Sequence, residues 1–161
     1  MEAAEKIYDV ERERQSAPAE KAENESVNRL ELRFLSRAEN VSLARLLTAA
    51  LAAERELTLA GLDEIKVAVS EAVSNAIIHG YQGREDRYVR LCLELSPDTL
   101  KVTVRDDGVG MADVEQALRP NWSGSGRMGL GFAFMHSFMD RVEVESALGL
   151  GTTVTLYKDL P

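Results

Sequence analysis

Glu71 and Asn75 stand one helical turn apart in DEIKVAVSEAVSNAIIHG, residues 63–80, and His79 continues the same row. A carboxylate and a carboxamide side by side on a mostly apolar helix offer two kinds of chemistry. Glu can take a proton from a reacting hydroxyl, and Asn presents a neutral oxygen to a hard metal ion. Left unpaired in a core, each group costs roughly 1–3 kcal/mol. The other reading is a satisfied polar pair at the rim of a core, and the residue types alone leave both open.

A second constellation is Asp106-Asp107-Gly108-Val109-Gly110. Alternation separates the two aspartates: Asp106 shares the parity of Val102 and Val104 and points inward, whereas Asp107 points to the outer face. A carboxylate at the inner edge of a sheet, followed by glycines, could accept a hydrogen bond from the amino group of a flat ring. A plain Asp-Gly turn accounts for the same residues. The third is GSGRMGLG, residues 124–131. It formally matches G-x-G-x-x-G, but residues 119–122 are no strand and no parallel βαβ unit surrounds them, so a dinucleotide fold is rejected. Free backbone N–H groups at a helix N-terminus still suit phosphate, and Arg127 could add charge. Trp122 reads as a packing residue.

The elements that must position these groups follow from periodicity. Ile65, Val69, Ala72, Val73, Ala76 and Ile77 recur at helical spacing and predict a buried stripe along residues 63–80. Residues 41–54 predict a helix whose buried stripe is Leu43, Leu46, Leu47 and Leu51, with Arg45 an exposed arginine laid along its neighbours; Gly61 is expected to break the chain before the next helix. Residues 29–35 alternate as a strand. Residues 87–95 and 99–106 alternate around the Ser96-Pro97-Asp98 turn and predict a hairpin, and residues 141–145 and 153–157 repeat the pattern. A short helix is expected over 130–139. One-sided alternation points to an α+β, two-layer sandwich: a mixed, mostly antiparallel sheet with helices on one face.

The chain has 161 residues and a formal net charge of −8. That length suits one domain, and the charge argues against gripping nucleic acid through phosphates. Residues 1–27 hold eight acidic and four basic side chains, hence −4 of the total, and read as a disordered or loosely helical arm before a domain over 28–161. No apolar run has membrane-spanning length, the N-terminus lacks signal-peptide order, and the single Cys92 has no disulfide partner, all of which favour a cytoplasmic protein.

The order of these motifs resembles the nucleotide-binding fold shared by gyrase, the MutL repair proteins and histidine kinases. Within that superfamily it is most similar to the anti-sigma factor serine kinases of spore-forming bacteria, of the sporulation anti-sigma-F type. EIKVAVSEAVSNAIIHGY, RDDGVGMADVEQA, MGLGF and FMDRVEVES…GTT carry the likeness, which runs from about Leu30 to Leu160. The resemblance implies an α/β ATPase domain that binds ATP or ADP with Mg²⁺. Asn75 would coordinate the ion, Glu71 would act as general base toward a serine, and Asp106 would hold the adenine amino group. Gly108 and Gly110 would give the base room, Thr152 belongs to the same set, and Gly129 and Gly131 would close over the phosphates with Arg127 as helper. The serine would belong to an anti-anti-sigma factor, Arg45 would face both that partner and the sigma factor, and a homodimer would cover part of the sheet near residues 29–35.

One departure lies between Pro120 and Gly129, where NWSGSGRM replaces a longer lid with a Thr-Thr-Lys or similar run. Ser123 and Ser125 are the hydroxyls left to meet phosphate. Nucleotide binding stays expected, and the departure bears on transfer rate and lid closure. Two rival readings remain: a nucleotide-switched sigma-binding module without kinase activity, and a detached histidine-kinase catalytic domain.

Overall fold

The computed structural model describes residues 27–119 and 128–161. Strands β1 (Asn28–Leu35), β2 (Tyr88–Leu95), β3 (Thr99–Asp106), β4 (Arg141–Ala147) and β5 (Gly151–Asp159) form one sheet in the order β1-β2-β3-β5-β4. Helices α1 (Glu39–Ala52), α2 (Leu59–Asn75), the short α3 (Val114–Leu118) and α4 (Met128–Phe138) complete the fold, and a π-helical turn over Ala76–Gly80 extends α2. The α+β class is as expected. The sheet is antiparallel at each of its four pairings, so the described residues contain no parallel component to make it mixed. The expected arm, residues 1–27, lies outside the described residues except for Val27.

Alternation fixes which way each strand faces. Val89, Leu91, Leu93 and Leu95 on β2, Leu100, Val102 and Val104 on β3, and Val154 and Leu156 on β5 are buried under the helices. Ile65, Val69 and Val73 from α2 and Phe132 and Met135 from α4 meet them, each such side chain contributing roughly 1.5–3 kcal/mol through removal from water. On the outer face, Arg33, Arg90 and Arg105 stand opposite one another across three strands. Like charges in that register repel. Asp107 relieves them by pairing with Arg90 and Arg105, and Arg33 lies over the Tyr88 ring, 3.8 Å from its centroid.

Two helical expectations are corrected. In α1 the buried residues are Ala44, Thr48, Ala49, Leu51 and Ala52, while Leu43 and Leu46 are exposed and Leu47 is half-buried. Alanines let α1 approach α2 closely, and a helix apolar almost all round does not reveal from size alone which side is buried. Gly61 is no breaker. It sits in the first turn of α2, where its N–H donates to the N-cap Thr58 Oγ1 at 3.0 Å, so the helix begins earlier than residue 63. By contrast, the stripe from Ile65 to Ile77 is buried throughout, as predicted.

The two helices therefore differ in what truncation does. Ile65→Ala should lower unfolding free energy by about 2–5 kcal/mol, whereas Leu46→Ala should change it by no more than about 0.5 kcal/mol, read from urea denaturation midpoints at equal slope.

Candidate functional site

The helical layer and the sheet part at one end to leave a cleft of about 400 Å³, counted with its open mouth. Asn75, His79 and Gly80 line one wall; Val104, Asp106, Gly110 and Thr152 line the other, with Phe132 from α4 at the back. Glu71 and Asn75 share a face of α2, and α4 crosses directly over them. A Cβ on Gly131 would lie 2.8 Å from Glu71 Oε2 and 3.4 Å from Asn75 Nδ2, so a side chain there would push the end of Glu71 aside. Asn75 Nδ2 is buried without a hydrogen-bond partner. A native protein rarely leaves such a donor unmet, and one at the wall of an open cleft suits an incoming oxygen acceptor.

The π turn sets the far end of this wall. Tyr81 N–H donates to Ala76 O at 2.9 Å, a five-residue step that widens the last turn and brings Gly80 against the strand. Burial pushes the His79 imidazole below its ordinary value and keeps it neutral near pH 7. Gly80 O accepts the Val109 N–H at 2.9 Å, and a Cβ at Gly108 would lie 2.0 Å from that same oxygen. Gly110 adopts φ +67°, where a Cβ would sit 1.9 Å from Ala147 O. The glycines of Asp-x-Gly-x-Gly are thus required by packing, independently of any ligand.

Asp106 points inward as alternation predicts and is 4% exposed. Burial pushes its carboxyl up to about 6 from the ordinary 3.8, and hydrogen bonds from the Gly108 and Thr152 N–H groups hold it from rising further. The Gly108 bond reaches Oδ1 at 2.9 Å. A poorly solvated carboxylate facing a cleft is a strong acceptor for an N–H donor of a bound ring. Thr152 closes the floor: its Oγ1 lies 2.9 Å from Ser146 Oγ, which accepts the Met111 N–H at 2.8 Å and donates to Gly151 O at 2.9 Å.

Of the predicted residues, Asn75, Asp106, Gly110 and Thr152 line the cleft. Glu71 and Gly131 meet each other beside Asn75, and Gly108 packs on Gly80, all three just outside that lining. Gly129 lies in the first turn of α4 and does not line the cleft. Arg45 is exposed on α1 and stands outside the lining. Arg127, with Ser123, Ser125 and Trp122, lies outside the described residues. Sequence reasoning assigned no part to Gly80, Tyr81 or Ser146. Gly80 and Tyr81 end the helical motif, but nothing in its period discloses a strand contact. Among the described residues no group of three His, Cys, Asp or Glu side chains is placed to hold a metal. A Mg²⁺ ion here would take one protein oxygen from Asn75 Oδ1, with phosphate or water oxygens among the rest.

Residues 34–158 match the histidine kinase-like ATPase domain family. The chain is 44% identical over 140 residues to an anti-sigma F factor of Pasteuria penetrans, covering 83% of this chain and 91% of that protein. It is 40% identical over 136 residues to an anti-sigma F factor of Clostridium beijerinckii, covering 83% and 95%. A solved structure of the RsbU and RsbW domains of a Mycobacterium tuberculosis protein superposes with a TM-score of 0.58 at 19% identity, over 83% of this chain and 32% of that one, and so shares the fold. No helix among the described residues is long and apolar enough to cross a membrane.

The raised carboxyl of Asp106 has a sign that can be measured. Its folded value exceeds its unfolded one, so the stability it lends is complete below about pH 4 and is lost as pH rises through 6. Asp106→Asn keeps an oxygen for the Gly108 N–H and removes the buried charge. It should raise the stability of the nucleotide-free protein at pH 7 by about 1–3 kcal/mol and leave it unchanged near pH 4, as read by urea denaturation across that range.

Proposed function

The chain belongs to the anti-sigma F factor family, built on the histidine kinase-like ATPase domain, and we propose that it restrains a sigma factor and uses Mg-ATP to phosphorylate a serine of the antagonist of that restraint. One arrangement carries this reading: Glu71 and Asn75 meet beneath Gly131, and Asn75 lines the same cleft as the buried Asp106. A base, an oxygen ligand and an acceptor for a ring amine on facing walls match the needs of a nucleotide laid between them.

In this reading Asp106 accepts a hydrogen bond from the adenine amino group, and Gly108 and Gly110 keep that turn free of side chains. Gly129 and Gly131, at the N-terminal turn of α4, leave backbone N–H groups near the phosphates, with Arg127 adding charge. Asn75 Oδ1 would give Mg²⁺ one protein oxygen, and the ion would supply positive charge to offset that of the phosphates. Glu71 takes the proton as the serine oxygen bonds to the γ-phosphorus and the bond from phosphorus to the oxygen of departing ADP breaks.

The partners are a sigma factor of the F type and an anti-anti-sigma factor, and the location is the cytoplasm, without direct contact to nucleic acid. Arg45 is exposed on α1, and Leu43 and Leu46 of the same helix are exposed too, a mix of cation and apolar side chains that suits a protein-binding helix. The open edge of β1 and the helix-free face beside it suit a homodimer contact.

Incubation with labelled ATP and the cognate anti-anti-sigma factor tests the reading. An acid-stable phosphoserine is expected. An acid-labile phosphohistidine would identify a detached histidine-kinase domain, and ATP binding without transfer would leave a nucleotide-controlled binding module. Glu71→Gln should keep ATP affinity within about twofold while lowering transfer at least about 100-fold, measured by calorimetry and by phosphate incorporation. Arg45→Ala should weaken sigma-factor binding at least about fivefold with nucleotide affinity unchanged, measured by the same calorimetry.

A further inference from the structure

Tyr81 occupies an unusual place in the sheet. Its hydroxyl accepts the Asp107 N–H at 2.8 Å and donates to Tyr88 O at 2.5 Å. The register of β2 with β3 ends at Arg90 opposite Arg105. Continued two residues further, it would set Asp107 opposite Tyr88, and those same two backbone groups would bond each other directly. The phenol oxygen instead stands between them, completing a rung of the ladder with a side chain. β2 runs on to Tyr88 alongside β1, while β3 diverges one residue after Asp106 into its glycine turn.

Tyr81 also follows Gly80, whose carbonyl holds Val109 and whose Cα faces the Asp106 carboxylate. Tyr81 itself is 7% exposed, and its ring belongs to the core cluster. A buried phenol with both hydrogen-bonding roles satisfied by backbone is rigidly held. The peptide it grips is the one that joins Asp106 to Asp107.

We propose that Tyr81 is a positioning residue for base recognition: its hydroxyl wedges the end of β3 away from β2 and so fixes the direction in which Asp106 faces the cleft. This rests on the reading of Asp106 as the adenine acceptor. Without the hydroxyl, the Asp107 N–H and Tyr88 carbonyl are free to close on each other, and Asp106 turns with them. Selectivity for the ring amine is then lost while contacts to the phosphates, made from α2 and α4, persist.

The test compares ATP with purine riboside triphosphate, which lacks the amino group, by calorimetry with Mg²⁺. The wild-type protein should prefer ATP about tenfold, the worth of one good hydrogen bond. Tyr81→Phe should bring that preference to within about twofold, with affinity for the analogue held within about threefold. In an Asp106→Asn background, Tyr81→Phe should change the ratio no further, because its effect passes through Asp106. A variant that loses thermal stability but keeps the tenfold preference overturns the proposal and leaves Tyr81 a purely structural residue. A wild-type preference of one removes the adenine contact itself, and the positioning role with it. Amide exchange on the wild-type protein gives a reading independent of how the variant folds. Asp107 should be protected like the interior of β3, and exchange as fast as at the exposed Glu85 overturns the wedge.

Discussion

The contact on which the site depends is between two stretches of backbone. Gly80, at the end of the widened helix, and Gly108, just past β3, approach so closely that a single methyl group on the latter would overlap the carbonyl of the former. The bond from Val109 N–H to Gly80 O locks that approach. One side of the contact carries Asn75 and His79, and the other carries Asp106. Their separation across the cleft is therefore set by main-chain packing, which is stiffer than any arrangement of side chains alone.

The same closeness explains why a carboxylate is tolerated where it stands. Asp106 loses most of its hydration, and its raised pKa measures that loss. Two backbone N–H groups offset part of it and leave the remaining acceptor capacity directed into the cleft. A residue that destabilises the empty fold at neutral pH is the kind expected where binding, and not folding, sets the requirement. Asn75 gives a second instance, with its amide nitrogen buried and unmet. Both walls thus hold polar capacity that the protein does not use on itself.

Much of this was legible in the sequence because it rests on local period. The inward parity of Asp106, the buried stripe from Ile65 to Ile77 and both hairpins follow from repeats of two and of 3.6 residues. What was not legible has a common cause. The outward turn of Leu43 and Leu46 depends on alanines of α1 finding α2, a tertiary choice among residues that are all apolar. The π turn at Ala76–Gly80 and the insertion of the Tyr81 hydroxyl between strands join residues whose partners lie at positions 88 and 107, and no local pattern encodes them. The early start of α2 was the exception, since Thr58 is a recognisable cap that the glycine at 61 obscured.

The arrangement of α1 has a consequence for how such a protein diverges. Small residues together with Leu51 hold one side of the helix to the domain, while Leu43 and Leu46 stand exposed on another. Exposed positions on this helix are free to vary without eroding the fold that the cleft requires.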